Sequence, residues 1–259
     1  MTETGLTTSS LTLGYRERVV IRELSIAVPD RRVTSILGPN GCGKSTFLKA
    51  LARLIAPASG QVRLSGDDIA KIDTRALARR LSILPQSPKA PEGITVSDLV
   101  RRGRTPWRGL LAPWSEEDTR ICQQALEQVG LGELAERPID ELSGGQRQRA
   151  WIALVLAQNT PYLLLDEPTT WLDLAHQLEV LSLLQKRNRD HGTTVVTVLH
   201  DLNLAVRFSD HLVLFGGHGL VAEGAPEEVI TSENLQAAFS LKALVMPDPL
   251  TGRPMIVPH

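Results

Sequence analysis

The chain has 259 residues and a formal net charge of −1, with 42% hydrophobic and 22% charged residues. This balance is typical of a folded globular protein, while the near-neutral charge and only 4% aromatic residues argue against a nucleic-acid-binding surface. Two cysteines, Cys42 and Cys122, make neither a disulfide framework nor a paired-cysteine metal site, which favours a reducing compartment. The polar start Met1–Ser10 and the shortness of every apolar run predict neither a signal peptide nor a membrane span.

In chain order, the first elements are predicted to be short antiparallel strands at Leu11–Tyr15, Val19–Ile21 and Leu24–Val28. Continuous apolar runs then predict strands buried on both faces, as in a parallel sheet: Val33–Leu37, Leu81–Leu84, Tyr162–Leu165, Val195–Leu199 and Leu212–Phe215. Helical periodicity follows three of these runs, at Ser45–Leu54, Leu174–Arg189 and Leu202–Phe208. Alternating strands and helices predict a layered α/β fold with a mainly parallel sheet.

The middle of the chain differs from the rest. A proline-rich loop precedes helical patterns at Val96–Arg102, Glu116–Val129 and Gln146–Leu156. We interpret residues of about 88–159 as a helical insertion into an α/β core formed by about 1–87 and 160–259, all within one domain. Between the first two helical patterns lies Gly103–Pro113, which is rich in Gly, Pro, Arg and Trp.

The strongest single motif fits the P-loop (Walker A) pattern GxxxxGK[ST]. It lies directly after an apolar strand and before a helix, where backbone N–H groups and a helix N-terminus can hold phosphates. The lysine supplies a mobile charge and the serine hydroxyl can ligate Mg²⁺. The alternative is a glycine-rich turn without a ligand. The predicted nucleotide-binding residues of this loop are Gly38, Pro39, Asn40, Gly41, Cys42, Gly43, Lys44, Ser45 and Thr46.

Cys42, inside this loop, has two interpretations. It is a small residue that fills a tight turn, or its thiol is a site whose modification blocks nucleotide binding.

Other candidate catalytic residues follow strand ends, where ligands gather in α/β sheets. Asp166 would reach the Mg²⁺ shell through water, and Glu167 would orient and deprotonate an attacking water. Alternatively, this carboxylate pair is an acidic helix N-cap. His200 is a candidate hydrogen-bond donor to a γ-phosphate, although an isolated histidine is usually structural. Gln86 is a candidate sensor and ligand of the metal and the water.

A second possible phosphate-binding helix N-terminus is Leu142-Ser143-Gly144-Gly145-Gln146, which could also be an ordinary capped helix start. Here the chain resembles ATP-binding-cassette ATPases over nearly its whole length. The ordered set that carries the resemblance is GPNGCGKST (38–46), Gln86, LSGGQRQR (142–149), LLLDEPTT (163–170), LD (172–173) and His200.

The resemblance implies a P-loop NTPase (RecA-like) core with an N-terminal antiparallel β subdomain and an inserted helical subdomain. It also implies a head-to-tail homodimer with two ATP molecules and Mg²⁺ at the interface. Ser143, Gly144, Gly145, Gln146 and Asp173 would act in trans on the partner's nucleotide. Tyr15 matches the family's adenine-stacking aromatic, although a single tyrosine in a strand is more often a packing residue.

The segments RRGRTPWRGLL and TTWLDLAHQLEVL (169–181) are similar to ATPases of iron–siderophore, haem and cobalamin importers. The resemblance therefore implies an ATPase subunit at the cytoplasmic face of a bacterial inner membrane, working with a permease and, indirectly, a substrate-binding protein. The basic cluster Arg101, Arg102, Arg104 and Arg108 is either a solvated loop or a surface near the permease and lipid headgroups. Alternatives are an ATPase of another small-solute importer, a non-transport ATPase of the same fold, a binding module without turnover and a phosphotransferase.

Overall fold

The computed structural model describes residues 5–15, 18–109, 112–217 and 219–259. The strands are β1 Leu6–Tyr15, β2 Arg18–Leu24, β3 Ala27–Val28, β4 Val33–Leu37, β5 Ser59–Leu64, β6 Asp67–Asp68, β7 Leu81–Leu84, β8 Tyr162–Asp166, β9 Thr194–Val198, β10 His211–Gly216, β11 Gly219–Gly224, β12 Ala243–Pro247 and β13 Pro254–Pro258. The helices are α1 Lys44–Leu51, α2 Thr74–Arg80, α3 Val96–Arg101, α4 Glu116–Gln128, α5 Gly144–Gln158, α6 Leu174–His191, α7 Leu202–Phe208, α8 Pro226–Val229 and α9 Ser232–Phe239.

The central sheet has the strand order β11-β10-β4-β9-β8-β7. Its five strands from β10 to β7 are parallel, and β11 pairs antiparallel at one edge. Each predicted apolar run forms one of these parallel strands, within one residue at each end. Successive side chains alternate between two separate apolar cores, one on each face of the sheet. The predicted α/β fold is thereby confirmed, because these strands are buried along nearly their whole length, as strands covered on both faces must be.

The N-terminal sheet covers one face of the central sheet. It has the order β2-β1-β5-β6, and β3 also pairs with β1, all antiparallel. This is the predicted antiparallel layer, but it contains more strands than the sequence indicated. Strand β5 was missed because polar residues such as Gln61 and Arg63 interrupt its apolar pattern, and β6 was missed because it consists of two aspartates. Helix α1 contacts both sheets, and its Phe47 packs against Phe215 of β10 with ring centroids 5.7 Å apart and an edge-on angle of 65°.

Helices α3, α4 and α5 pack on one another and against the other face of the central sheet. Their starts are set by side-chain caps. Thr95 Oγ1 accepts from the amide of Asp98, and Ser115 and Ser143 each form a reciprocal capping box. Asn159 ends α5 in the left-handed conformation. The limits of a separate helical subdomain at about 88 and 159 stay a prediction.

The basic segment between α3 and α4 is not the uniformly solvated loop that was one of the two interpretations. Residues Arg102–Trp107 form a 3-10 helix, and Arg104 is buried in an ion pair with Asp118 at 2.8 Å. Arg101 and Arg108 stack on the Trp114 ring, 4.3 and 4.9 Å from its centroid. These arginine side chains therefore hold the segment against the rest of the protein through an ion pair and cation–π contacts. Leu110 and Leu111, which belong to the importer-like motif, lie outside the described residues.

The C-terminal part contains elements that the sequence did not predict. Helices α8 and α9 pack near β10 and β11, and strands β12 and β13 form a separate two-stranded hairpin. Within the described ranges, none of the helices combines the length and apolarity that a bilayer-spanning segment needs.

Candidate functional site

The parallel sheet brings the predicted chemical residues to one edge. Strand β9 lies between β4 and β8, and β7 follows β8. The loops after β4, β7, β8 and β9 carry the glycine-rich motif, Gln86, Glu167 and His200. Because these strands run in the same direction, their carboxyl ends and the side chains that follow them meet at this edge.

The glycine-rich loop after β4 depends on conformations that only glycine adopts easily. Gly38 and Gly43 have φ angles of 149° and 107°. A Cβ on Gly38 would lie 2.6 Å from the carbonyl oxygen of Phe215, and one on Gly43 would lie 2.8 Å from Cγ1 of Val20. The loop is therefore packed against strand β10 on one side and β2 on the other, which fixes its curvature.

Lys44 and Ser45 begin α1 directly after this loop. Lys44 Nζ donates to the carbonyls of Gly38 and Pro39 at 2.7 and 2.9 Å, which holds the ammonium against the loop. Cys42 is half-buried, and this burial raises the pKa of its thiol although the Lys44 charge acts in the opposite direction. Most of the thiol is therefore protonated at neutral pH.

Asp166, the last residue of β8, is only 1% exposed. Its Oδ1 accepts from the Ser45 hydroxyl at 2.8 Å, whereas its buried Oδ2 meets no hydrogen-bond donor in the described part of the chain. Burial, together with the nearby Glu167 charge, raises the pKa of this carboxyl above its usual range despite the Ser45 hydrogen bond. The pairing links the phosphate loop to the end of β8, as expected for shared ligands of one cation.

Glu167 and His200 form a direct contact. Oε1 of Glu167 lies 2.7 Å from Nε2 of His200, and its Oε2 accepts from Thr170 Oγ1 at 3.3 Å. Glu167 has a φ of 56°, in the left-handed region that non-glycine residues rarely adopt. This conformation turns the carboxylate back toward the loop, where it lines the same cleft as Lys44.

A cleft of about 620 Å³ opens above the phosphate loop, a volume suited to a nucleotide. Nine predicted site residues line it: Tyr15, Asn40, Gly41, Gly43, Lys44, Ser45, Thr46, Gln86 and Glu167. Gly38, Pro39 and Cys42 form the loop without lining the cleft. Tyr15 is half exposed, and its hydroxyl accepts from Thr46 Oγ1 at 3.4 Å.

Sequence reasoning missed two residues of this cleft, Arg18 and Val20. Arg18 is the cross-strand partner of Tyr15 at the tip of the β1–β2 hairpin. The signal that would have found it is the hairpin register, because a residue paired with a predicted base-stacking tyrosine reaches the same ligand.

The residues predicted to act in trans line a different cleft, of about 450 Å³, around the N-terminus of α5. Ser143, Gly144, Gly145, Gln146 and Asp173 are joined there by the unpredicted residues Arg149, Trp171 and His176. Asp173 caps α6, and its Oδ1 accepts from the amide and Nδ1 of His176 at 3.0 and 2.7 Å. Hydrogen bonds from His176 lower the pKa of the Asp173 carboxyl, so it carries a negative charge at neutral pH. Within one copy, the two sets of predicted residues thus line two clefts.

The sequence profile of the ABC transporter family matches residues 21–170, which include the phosphate loop, the α5 start and the end of β8. The chain belongs to the ABC transporter family. It is an ATP-binding and ATP-hydrolysing subunit of that family, and its resemblance to these ATPases is confirmed.

Relatives of this ABC ATPase cover almost its full length. The achromobactin transport ATP-binding protein CbrD of Dickeya dadantii is 52% identical over 98% of this chain and 95% of its own. The ferric enterobactin transport ATP-binding protein FepC of Escherichia coli is 47% identical over 96% of this chain and 92% of its own. The iron(3+)-hydroxamate import ATP-binding protein FhuC of Bacillus subtilis is 46% identical over 98% of this chain and 94% of its own.

Solved structures show the same fold. A metal-chelate type ABC transporter in an inward-facing conformation matches with a TM-score of 0.85 and 30% identity over 99% of this chain and 98% of its own. A dimeric bacterial ABC transporter cassette matches with a TM-score of 0.78 and 28% identity over 85% of this chain and 98% of its own. The same cassette in a post-hydrolysis state, bound to ADP and Pi, matches with a TM-score of 0.76 and 27% identity over the same shares. This ABC ATPase accordingly belongs to a family that works as paired cassettes with membrane permeases.

Proposed function

We propose that this chain energises the uptake of an iron(III)–siderophore or a related metal chelate at the cytoplasmic face of a bacterial inner membrane. It does so by hydrolysing ATP while attached to a separate membrane permease, and a substrate-binding protein delivers the cargo to that permease. The observation that supports this proposal most is the near-full-length identity with ATP-binding proteins of achromobactin, enterobactin and hydroxamate systems.

The residues around Asp166 fit Mg²⁺. Asp166 Oδ2 has no hydrogen-bond partner in the described part of the chain, and burial raises the pKa of this carboxyl. A bound cation would stabilise the charged form of such a buried carboxylate. The described residues contain no cluster of three or more His, Cys, Asp or Glu side chains that could hold a metal alone. Mg²⁺ in nucleotide sites needs no such cluster, because it is held by one or two protein groups together with the phosphates of the substrate. Ser45, Gln86 and Asp166 would hold the ion, which neutralises phosphate charge when bound.

The chain's own residues divide the remaining work of hydrolysis. The backbone N–H groups of residues 38–46, except for Pro39, which has none, and the Lys44 ammonium hold the β- and γ-phosphates. Glu167 orients the attacking water and accepts its proton. His200, which contacts Glu167 at 2.7 Å, holds that carboxylate and donates to the γ-phosphate once the nucleotide is bound. Tyr15 stacks on the base at the mouth of the cleft.

The second cleft completes the site of a partner copy. Ser143 caps α5, so the helix presents its first amides and positive end beside the cleft that Ser143–Gln146 line. In a head-to-tail pair, this helix end closes over the γ-phosphate of the partner subunit, and Asp173 links the two sites. Hydrolysis then removes the group that bridges the two copies, so the pair loosens and drives the permease.

The hydrolysis mechanism is tested by the Glu167→Gln substitution. The amide keeps the size of the side chain but cannot accept the proton, so we expect ATP turnover to fall by about 10²–10⁴-fold while ATP binding persists. The variant should accumulate as an ATP-bound dimer, measured by size-exclusion chromatography. Glu136→Gln, an exposed change outside the cleft, is the control and should turn over normally. Normal turnover by Glu167→Gln would reject the proposed base.

The cargo is tested in the native host. A strain without this chain should fail to grow when one ferric siderophore is its sole iron source, and the wild-type chain should restore growth where Glu167→Gln does not. The wild-type chain should also co-purify with a permease. Unchanged growth on every siderophore would reject this cargo class.

One further similarity supports cobalamin as an alternative cargo. The cobalamin import ATP-binding protein BtuD of Halobacterium salinarum is 36% identical over 92% of this chain and 60% of its own. A cobalamin-dependent growth defect in the same strain, without an iron defect, would favour that alternative.

A further inference from the structure

A small polar pocket lies between α4, the end of α5 and the end of α6, and it shares no lining residue with the two clefts described above. Its volume is about 230 Å³. Three basic side chains and three amide side chains line it: Arg120, Arg187 and His191, with Gln124, Gln128 and Asn159. The described lining residues include no carboxylate, so the pocket combines positive charge with hydrogen-bond donors.

Arg187, near the end of α6, is a partly buried cation that forms no ion pair in the described part of the chain. Burial lowers the pKa of its guanidinium, and no carboxylate among the described residues acts in the opposite direction. Its hydrogen bond to a described residue runs from Nη2 to Oδ1 of Asn159, at 2.7 Å. A guanidinium carries five N–H donors, so most of them remain for a ligand. Because buried charges are normally paired, this arginine is suited to an anion in the pocket.

Arg120 is held at the pocket by its neighbours on α4. Its Nε and Nη2 donate to the Glu117 carboxylate at 2.9 and 2.6 Å, and its Nη1 donates to Oε1 of Gln124 at 3.1 Å. Glu117 does not line the pocket, so it fixes the arginine without filling the space beside Arg187. His191, the last residue of α6, adds a ring that is cationic when protonated.

Basic side chains at helix C-termini often stabilise the helix by binding its last carbonyls. Here that role is filled by other groups. The carbonyl of Gln158, the last residue of α5, accepts from Trp107 Nε1 at 2.6 Å. Arg187 donates to the side chain of Asn159 and to no backbone carbonyl of the described residues. Its charge is therefore available to a ligand.

The pocket lies at the far ends of the two helices that begin at the second cleft. Helix α5 starts after its cap Ser143 and ends at Asn159, and α6 starts after its cap Asp173 and ends at His191. At about 1.5 Å per residue, these helices span roughly 22 and 27 Å. A ligand that contacts α4 and α6 together would link them at the end opposite to that cleft.

We infer that this pocket binds a small tetrahedral oxyanion of the inorganic phosphate class. Such an ion can accept from guanidinium and amide groups at the same time, and α4, α5 and α6 supply these donors from three sides. The volume suits a hydrated ion of this size and is much smaller than the nucleotide cleft of about 620 Å³. Binding here requires neither ATP hydrolysis nor a permease, so it goes beyond the proposed function.

The test is phosphate binding, measured by a phosphorus NMR titration at constant ionic strength. The nucleotide cleft is saturated with Mg²⁺ and the non-hydrolysable analogue AMP-PNP, which fills the γ-phosphate position. The wild-type chain should bind one phosphate per copy, and Arg187→Gln should weaken binding at least about tenfold, because the guanidinium supplies charge-assisted hydrogen bonds. Arg189→Gln removes an exposed arginine of the same helix that does not line the pocket. It is the matched control and should bind phosphate like wild type.

A second variant, Gln124→Glu, leaves every basic group in place. Its carboxylate would pair with the arginines of the pocket and take the place of the anion, so phosphate binding should again fall at least about tenfold. Circular dichroism checks that both variants are folded. Phosphate should also raise the melting temperature of the wild-type chain above its value in chloride at the same ionic strength, and this gain should be absent in Arg187→Gln.

Other results would overturn the inference. A wild-type chain that binds no phosphate, or equal binding by wild type and Arg187→Gln, would reject the site. Equal weakening by Arg187→Gln and Arg189→Gln would show that phosphate responds only to the overall charge of the helix. Acetate that binds as well as phosphate would reject a site for a tetrahedral oxyanion.

Discussion

At the scale of single residues, Glu167 has a backbone conformation that non-glycine residues rarely adopt. Glu167 adopts a left-handed conformation, with a φ of 56°, at the end of a fully buried strand. Such a conformation costs about 1–3 kcal/mol in a non-glycine residue and persists only when its surroundings enforce it. The 2.7 Å contact with His200 is one such constraint. The sequence indicated the carboxylate through its position after β8, but not its strained backbone, which depends on contacts with a residue 33 positions later.

Cys42 gives a prediction at the same scale. Burial raises the pKa of its thiol, so we expect slow alkylation near neutral pH and a rate that rises roughly tenfold per pH unit below that pKa. Its Sγ would lie 2.8 Å from a Cβ on Gly38, so the loop has little room for an added group. Alkylation should therefore weaken ATP binding at least about tenfold, and bound MgATP should slow the reaction. The measurement is ATP affinity before and after labelling.

The control for this prediction is Cys42→Ala, which should bind ATP normally and resist alkylation. The other cysteine, Cys122, should stay unlabelled, because burial raises its pKa to about 11. Labelled protein with unchanged ATP affinity would show that Cys42 only packs.

Strands and helices with a clear apolar pattern in the sequence were predicted. Elements that are stabilised by contacts with residues distant in the sequence were not. The parallel strands were recognisable because continuous apolar runs are required between two covered faces. Helix α2 has the sequence TRALARR, with a single buried residue, Leu77, and therefore little apolar periodicity. Strands β12 and β13 are anchored by Asn203 and Arg253, contacts that no local pattern contains.

The packing of the 3-10 helix Arg102–Trp107 against α4 gives a stability prediction. Asp118→Ala would leave the buried Arg104 guanidinium without its carboxylate, so unfolding free energy should fall by about 3–5 kcal/mol. Glu117→Ala is the matched control. It removes a neighbouring carboxylate from an exposed, solvent-screened pair with Arg120 and should cost far less. Urea denaturation measures both, and equal losses would contradict the assignment.

The same pair predicts a pH dependence. Burial acts to raise the pKa of Asp118, but hydrogen bonds from Arg104 and Ser115 outweigh it, so the folded pKa lies below the usual value. A lowered folded pKa contributes stability that is present above the unfolded pKa, about 3.9, and is lost as the pH falls through the folded pKa. The difference in unfolding free energy between wild type and Asp118→Ala should therefore shrink in acid. A constant difference down to the acid transition would exclude this linkage.

At the scale of the whole molecule, sequence motifs located most residues of both clefts because phosphate chemistry restricts residue type and spacing. They did not assign Arg18, Trp171 or His176 to a site, because these residues belong to the clefts through strand register or loop conformation. Trp171 is 80% exposed with a φ of 69°, beside the α5 N-terminus. An exposed tryptophan in a strained conformation is typical of an interface residue.

The pairing of two copies can be tested through Trp171. In the Glu167→Gln background, Trp171→Ala should weaken the ATP-dependent dimer by about 2 kcal/mol, or roughly thirtyfold in dissociation constant, because a large apolar contact is lost. Analytical ultracentrifugation with ATP measures this loss. Leu54→Ala serves as the control for an exposed apolar side chain away from this cleft. An unaffected dimer would place Trp171 outside the interface.

The contact between Gly43 and Val20 has a mechanical consequence. Val20 lies in the strand that begins at Arg18, the cross-strand partner of Tyr15, so the hairpin that we propose to contact the base packs directly against the loop that we propose to hold the phosphates. Because protein interiors are closely packed, a displacement of the hairpin would also displace the phosphate loop. A substitution in this hairpin that changes which base is bound would then also change how the triphosphate is bound. Changing base selectivity alone would require compensating substitutions in both the hairpin and the loop.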